Sequence, residues 1–413
     1  MQKAPRGLRL HIAIFGRRNA GKSSVLNALA QQNVSIVSEV AGTTTDPVEK
    51  SMELLPIGPV LFIDTAGIDD AGSLGALRVA KTYSVFERTD VAILVTEAHT
   101  WGDYEEGILE ELTKRGIPCV VVFNKTDIFS TNEKARERLK GKGVLYCEIC
   151  ALKAGWDVTA LIKGKIIELL PAEWITPPPI LNDLVGRDGI VILVIPIDKE
   201  APKGRIILPQ VNTLRDLLDK NISVLVTNEK DLGRMLSAMK TRPSAVVTDS
   251  QAFEEVFRVV PDDIPVTSFS ILFARQKGDL AELARGADAI DTLKPMDRVL
   301  IAEACTHHPI GDDIGRVKIP RWLDEHTGGP LQYTICSGHD YPDHIQEYKL
   351  IIQCGSCVFN RRECLSRIYK AKAQGVPVTN YGIAIAHLFG AKDRALRLFT
   401  PLDSESLAFQ SAG

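Results

Sequence analysis

The sequence predicts an α/β protein of three domains. Short apolar runs of strand type alternate with stretches of helical spacing along most of the chain, the pattern of parallel sheets covered by helices. One of these runs, Leu10-His11-Ile12-Ala13-Ile14-Phe15, opens directly into a glycine-rich loop that ends in Gly-Lys-Ser. A proline run, Pro177-Pro178-Pro179, cannot continue a helix and reads as an extended spacer. The expected divisions are residues 8–171, 180–265 and 266–413.

Bulk properties narrow the class. At 413 residues, 45% of them hydrophobic, the chain is too long for one ordinary domain and rich enough to bury several cores. A net charge of −3 and a pI of about 6.3 give no global basic field for nucleic acid or an anionic membrane. The 8 cysteines are spread widely, which favours a reducing compartment with buried or metal-binding thiols over a disulfide framework. The segment Met1–Gly7 lacks the apolar stretch of a signal peptide, and no apolar run reaches membrane-spanning length. A cytoplasmic protein with neither membrane nor nucleic-acid partners is expected.

In the first domain the loop Gly16-Arg17-Arg18-Asn19-Ala20-Gly21-Lys22-Ser23 lies between a strand and the helical stretch Ser24-Val25-Leu26-Asn27-Ala28-Leu29. That context is what a phosphate-binding loop requires. Backbone N–H groups and the helix N-terminus favour the phosphates, Lys22 neutralises the outer ones, and Ser23 suits Mg²⁺. Arg17 and Arg18 are read as solvated loop residues. The strand Leu61-Phe62-Ile63 ends in Asp64-Thr65-Ala66-Gly67, where Asp64 suits the Mg²⁺ shell and the Gly67 amide can sense a γ-phosphate. Val120-Val121-Val122-Phe123 runs into Asn124-Lys125-Thr126-Asp127, and a carboxylate at Asp127 can accept two hydrogen bonds that guanine offers and adenine does not. The nucleotide is therefore GTP.

These motifs together resemble the GTPases. Cys150-Ala151-Leu152 stands where translational-type GTPases carry Ser-Ala-x. Val40-Ala41-Gly42-Thr43-Thr44-Thr45-Asp46 resembles the switch I segment of the tRNA-modification and ribosome-assembly GTPases. The resemblance implies a Ras-like doubly wound sheet, Thr44 on Mg²⁺, and K⁺ activation through Asn19. Ile68 stands where Ras-like enzymes place a catalytic glutamine, so slow hydrolysis is implied, with Lys22, Thr44 and Gly67 as the catalytic groups. Nucleotide contacts fall on Asn19, Ala20, Gly21, Lys22, Ser23, Ser24, Asp64, Gly67, Asn124, Lys125, Asp127, Cys150, Ala151 and Leu152.

The middle domain alternates strands at 191–195, 222–226 and 245–249 with helices at 209–219, 232–239 and 251–259. It shows no catalytic cluster. Asp249-Ser250-Gln251 reads as a strand-to-helix turn with an N-cap, and subunit pairing is the default role.

The last domain holds two ligand-rich strand ends. Val299-Leu300-Ile301-Ala302-Glu303-Ala304 runs into Cys305-Thr306-His307, and Leu350-Ile351-Ile352-Gln353 runs into Cys354-Gly355-Ser356-Cys357. In one parallel sheet, both would open into the crevice where α/β sheets bind ligands. Cys305, Cys354 and Cys357 with His307 would make a Cys₃His zinc site. The same thiols can hold three irons of a 4Fe-4S cluster. Cys336 and Cys364 read as buried structural thiols.

The chain as a whole resembles the FeFe-hydrogenase maturation GTPases. The residues that carry this are the GTPase motifs, Cys305-Thr306-His307-His308-Pro309, Asp313-Ile314-Gly315-Arg316, Cys354-Gly355-Ser356-Cys357 and Thr379-Asn380-Tyr381-Gly382. The resemblance implies a homodimer paired through a small α/β dimerisation domain, followed by an α/β iron–sulfur cluster-binding domain. It further implies a scaffold that takes a transient di-iron subcluster from radical-SAM maturases to the apo-hydrogenase. Gln353 departs from the family's His-Cys-x-x-Cys. The fourth cluster position then falls to His307 or to an exchangeable ligand such as water or a carboxylate like Glu303, and the exchangeable one is preferred. The competing expectation is a ribosome- or tRNA-acting GTPase with a structural zinc site.

Overall fold

The structure, a computed structural model, describes residues 4–30, 48–65, 84–153, 156–175, 177–196, 206–304 and 313–400. Thr44, Gly67, Ile68, Cys305 and His307 lie outside the described residues. The chain divides into two compact units, Met1–Pro177 and Pro178–Gly413.

The first unit is built on a six-stranded sheet of β1 (Leu10–Phe15), β2 (Val48–Leu54), β3 (Gly58–Asp64), β4 (Val91–Glu97), β5 (Cys119–Asn124) and β6 (Leu145–Glu148). Their order is β2-β3-β1-β4-β5-β6, with only β2 antiparallel to its neighbour. Helices α1 (Lys22–Ala30), α2 (Asp103–Lys114), α3 (Glu133–Gly141) and α4 (Trp156–Glu168) cover it. β1 shows why the sheet is doubly wound. Leu10, Ile12 and Ile14 face a core shared with Val25 and Leu26 of α1 and Ile162 and Ile166 of α4. Ala13 and Phe15 face another, with Leu109 and Leu112 of α2 and Leu139 of α3. A strand covered on both faces must be apolar throughout, as β1, β4 and β5 nearly are. β4 carries no motif and is not among the strands read from the sequence. Burial pushes the thiols of Cys119 and Cys147 up to about 12, which makes them packing residues.

The second unit holds two four-stranded, fully parallel sheets. The first comprises β7 (Ile190–Val194), β8 (Ser223–Thr227), β9 (Ala245–Thr248) and β10 (Val266–Ser268) in the order β10-β9-β7-β8. α5 (Leu208–Leu218), α6 (Leu232–Ala238) and α7 (Phe253–Val259) connect them. β10 follows the division expected at residues 265/266, yet it pairs with β9, so this sheet extends to Ser268. The Asp249 carboxylate does not cap the turn after β9; it accepts from Gln210 Nε2 at 2.9 Å.

The second sheet comprises β11 (Arg298–Glu303), β12 (Gln332–Ser337), β13 (Leu350–Gln353) and β14 (Val378–Asn380) in the order β12-β11-β13-β14. α8 (Phe269–Lys277), α9 (Leu280–Ala287), α10 (Ile319–Thr327), α11 (Arg361–Ala373) and α12 (Tyr381–Leu388) pack around it. One apolar core runs from Leu193 and Val247 of the first sheet through Phe269 and Phe273 of α8 to Leu300 and Ile352 of the second. Asn380 caps α12 by accepting from the Ile383 N–H at 2.9 Å, and its amide donates to Ser270 O at 3.0 Å.

Gly286 of α9 sits against β14. A Cβ there would lie 1.9 Å from the Val378 carbonyl oxygen, a backbone atom fixed by the sheet. Gly286→Ala should therefore destabilise the second unit by about 1–3 kcal/mol, read as a lower urea midpoint at unchanged slope. An unchanged midpoint would refute the close approach of α9 and β14.

Candidate functional site

Two sites lie at strand ends, one in each unit. In the first unit the chain leaves β1 and β4 towards opposite sides of the sheet, which makes their junction the topological switch point. The phosphate-loop sequence follows β1 there. Gly21 has φ +96°, and a Cβ on it would meet Asn124 Nδ2 at 2.1 Å, so only glycine fits. Asn19 is also left-handed, at φ +63°. Lys22 Nζ donates to the carbonyls of Gly16 and Arg17 at 2.8 and 2.9 Å, which holds it over the loop.

Asn19, Gly21, Lys22, Ser23, Ser24, Asn124, Lys125, Asp127, Cys150, Ala151 and Leu152 line a single cavity of about 680 Å³, within the range of small-ligand pockets. Ala20 is buried beside it, held by Asn124. Asn124 is the joint of this site: its Nδ2 donates to Ala20 O at 2.9 Å and its Oδ1 accepts from the Ala151 N–H at 3.0 Å. Both loops that flank a base are thereby tied to the phosphate loop. Lys125, at φ +63°, forms an ion pair with Glu97. Asp127 stays at the cavity edge. The Cys150 thiol hydrogen-bonded to it, with Lys153 beside it at 3.5 Å, holds its carboxyl below the usual range. The cysteine in the Ser-Ala-x position thus has a local partner.

Ser23 Oγ reaches Asp64 Oδ2 at 3.5 Å, so the expected Mg²⁺ ligands of the described residues converge. Burial raises the Asp64 pKa, against the pull of Lys22, Ser23 and Lys50, and its Oδ1 is buried with no hydrogen-bond partner among the described residues. A buried carboxylate oxygen left unpaired is the chemistry of a cation ligand. Arg17 corrects the sequence reading. It is not a solvated loop residue: its Nε and Nη2 bind the fully buried carboxylate of Glu105 on α2 at 2.8 and 3.0 Å, and its guanidinium stacks on Tyr104.

In the second unit the switch point is the junction of β11 and β13, whose connections lead away to β12 and β14. Ala302 is paired with Gln353, and the Cys354 N–H donates to Ala302 O at 3.0 Å. Beyond the last ladder bond, the Ala304 N–H donates to Cys354 Sγ at 3.1 Å, and the Ser356 N–H does so at 3.4 Å. Ala304, the residue before Cys305, is thus in contact with Cys354. The turn passes through Ser356 at φ +50°. Burial raises the thiol pKa of both Cys354 and Cys357. Two N–H groups aimed at one sulfur favour a thiolate, so this part of the donor set fits a thiolate-held metal group.

Other residues fare differently. Gln353 is buried in the sheet. Glu303 cannot serve as a freely exchangeable ligand: Arg316 Nη2 binds its Oε2 at 2.7 Å, and Ser337 Oγ donates to it at 3.1 Å. Cys364 is buried and packs in one small cluster with Ala304, Phe359, Cys354 and Val358, while Cys336 is half-buried. The motif residues around the site have local structural work. Asp313 Oδ1 accepts from the Arg316 N–H at 2.7 Å, and a Cβ on Gly315 would strike Tyr381. Among the described residues no group of three or more His, Cys, Asp or Glu side chains is placed to hold a metal ion. Among them, too, no helix is long and apolar enough to cross a membrane.

Comparison with known proteins agrees with this division. Residues 11–125 match the 50S ribosome-binding GTPase model, 180–278 the hydrogen maturase F dimerization domain, and 281–398 the hydrogen maturase F tetramerization domain. The GTPase Der of Wolinella succinogenes is 39% identical over 142 residues, 33% of this chain and 30% of its own. The tRNA modification GTPase MnmE of Burkholderia mallei is 33% identical over 170 residues, 40% of this chain and 35% of its own. The chain thus spans about a third of the length of either relative. The solved structure of Aquifex aeolicus Era bound to GDP and aluminium fluoride aligns at 22% identity and a TM-score of 0.33, over 60% of this chain and 97% of that one. The two maturase models together span more than half of the chain and assign it to self-association. With a GTP-hydrolysing domain in its first unit and both maturase domains in its second, the chain belongs to the hydrogen maturase F family.

Proposed function

We propose that this protein is a scaffold GTPase of FeFe-hydrogenase maturation. It receives a di-iron subcluster, its cargo, from radical-SAM maturases and delivers it to the apo-hydrogenase. The observation that carries this reading is the meeting of Ala304 and Cys354 at the β11/β13 switch point, in a chain of the hydrogen maturase F family. Cys354, Cys357 and Cys305 would hold a resident 4Fe-4S cluster, whose fourth iron, bound by His307 or an exchangeable ligand, would supply an open coordination position for the cargo. The Glu303–Arg316 pair takes that carboxylate out of the candidates for the position. The work would divide among the expected stretches 8–171, 180–265 and 266–413, with β10 at the start of the last one completing the middle sheet.

In the first unit Asn124 ties the base loops to the phosphate loop, which supports guanine reading by Asp127 next to phosphate binding by Asn19 to Ser24. Ser23 and Asp64, with Thr44, would hold Mg²⁺, and Asn19 would hold K⁺. Lys22 would exchange its two loop carbonyls for the phosphates. GTP would order the segments of Thr44 and Gly67, and hydrolysis would release them, changing the association with maturases or hydrogenase. GTP drives no cluster chemistry in this reading. The likeness to Der and MnmE is carried by the GTPase part, so it supports the nucleotide chemistry and no nucleic-acid partner. The site of action is the cytoplasm.

Pairing of two copies would use β8. It is the edge of its sheet, its pattern is largely exposed, and it shows Leu225 and Val226 to solvent at 36% and 49%. An exposed apolar edge strand is an adhesive surface unless something covers it.

Two outcomes test these readings. Lys22→Ala should cut GTP hydrolysis by at least about a hundredfold and block hydrogenase activation, while the visible iron–sulfur absorption stays unchanged. Loss of that absorption would show that the two halves are not separable. Val226→Asp should halve the mass of the assembly by light scattering with GTP hydrolysis retained; an unchanged mass would exclude β8 as the pairing edge.

A further inference from the structure

Lys277 is the last residue of α8. A lysine there ordinarily reaches into water, close to the helix carbonyls. This one is only 5% exposed. Its ammonium donates to three carbonyls of the Cys-x-x-Cys turn: Phe359 O at 2.7 Å, Cys357 O at 3.1 Å and Ser356 O at 3.4 Å. The same turn carries the left-handed Ser356, and Lys277 ties its second half, Ser356 to Phe359, to the end of α8.

Holding a turn does not require a charge. A neutral amide could donate to two of these carbonyls without the cost of burying an ammonium. Lys277 lies against Phe273, whose ring centroid is 5.5 Å from Nζ, and lines a small cavity beneath the turn with Leu283, Ile368 and the uncharged polar residues Gln353 and Asn380. Among the described residues no carboxylate forms an ion pair with it. Cys354 and Cys364 line the same small cavity as Lys277 and Cys357 accepts from it through its carbonyl, so these thiols, once ionised, can carry compensating negative charge. A buried cation without a carboxylate is stable beside an anion.

We propose that Lys277 is the positioning and charge-compensating residue of the Cys354–Cys357 site: it sets the turn through three carbonyls and serves as counter-ion to an anionic, thiolate-bound metal centre. This rests on the cluster reading given above. It adds the charge class of the ligand, which must be net negative when bound, and it places an interacting residue on a helix far from the cysteines in sequence. A fixed positive charge beside the centre also favours its reduced form, because reduction adds negative charge.

The test uses the full-length protein, handled anaerobically, as wild type, Lys277→Gln and Lys277→Arg. Gln keeps two of the three donors, on a stem one bond shorter, and removes the charge; Arg keeps the charge, so recovery in Arg is what separates charge from turn-holding. Apo protein is titrated with Co²⁺ and followed by its thiolate-to-metal charge-transfer band. Lys277→Gln should weaken Co²⁺ binding by about 10–100-fold, the cost typical of removing a partner behind a metal ligand, and Lys277→Arg should recover most of it. After reconstitution with iron and sulfide, the reduction potential should fall in Lys277→Gln and return towards wild type in Lys277→Arg. Melting of the metal-free proteins separates a folding defect from this effect. Wild-type affinity and potential in Lys277→Gln would overturn the charge role. A wild-type Co²⁺ band that persists in Cys354→Ser/Cys357→Ser, or no band at all, would overturn the cluster reading itself, and the role of Lys277 with it.

Discussion

The parallel pairing of β11 with β13 is the constraint on which the thiol chemistry of this chain rests. Val299 is paired with Leu350, and the register runs on to Ala302 and Gln353, so the two strands leave the sheet side by side. Leu300, Ile301, Ile351 and Ile352 are fully buried. A slip of one residue would exchange side chains between two packed faces and would carry the polar end of each strand into the core, so packing on both faces fixes the register. The register in turn sets the Ala304 N–H against Cys354 Sγ. The order β12-β11-β13-β14 sends the two following connections apart and leaves a crevice between them. Apolar packing thus determines which polar groups meet.

The first unit obeys the same rule with different chemistry. Its crevice lies between β1 and β4, and glycine and lysine follow β1 where cysteines follow β13. Phosphates suit a helix N-terminus and backbone N–H groups, whereas soft metals call for thiolates. Both sites are stiffened by a buried charge from another element. Glu105 of α2 anchors Arg17 in the phosphate loop, and Lys277 of α8 anchors the Cys-x-x-Cys turn. The Glu105 carboxylate also accepts from the Gly102 N–H at 3.0 Å, so the start of α2 and the phosphate loop are linked through one side chain.

What could be read in the sequence follows from how local its cause is. Phosphate binding demands glycine, lysine and serine at fixed spacing after a strand, and thiolate ligation demands Cys-x-x-Cys after another, so both were legible. β1, β5, β11 and β13 were legible because each is a largely apolar central strand that runs into a motif, whereas β4, equally apolar, runs into none. β2 was not: its partly exposed pattern in Val48–Leu54 is that of an edge, and its partner β3 supplies the order. β10, with only Val266, Thr267 and Ser268, is too short to show a period. The roles of Arg17, Glu303 and Lys277 depend on partners 88, 13 and 82 residues away, which no local pattern contains. Asp249 shows the converse, a residue of good capping type drawn off by Gln210 from another helix.

A metal-bearing scaffold and a zinc-stabilised interaction protein place the same demands on fold and register and differ in what the thiolates hold. The measurement that separates them is the iron, acid-labile sulfide and zinc content of the full chain purified without oxygen. Iron and sulfide in equal amounts, lost together in Cys354→Ser and in Cys357→Ser, are the result this account predicts. Stoichiometric zinc without sulfide, in a colourless protein, would contradict it.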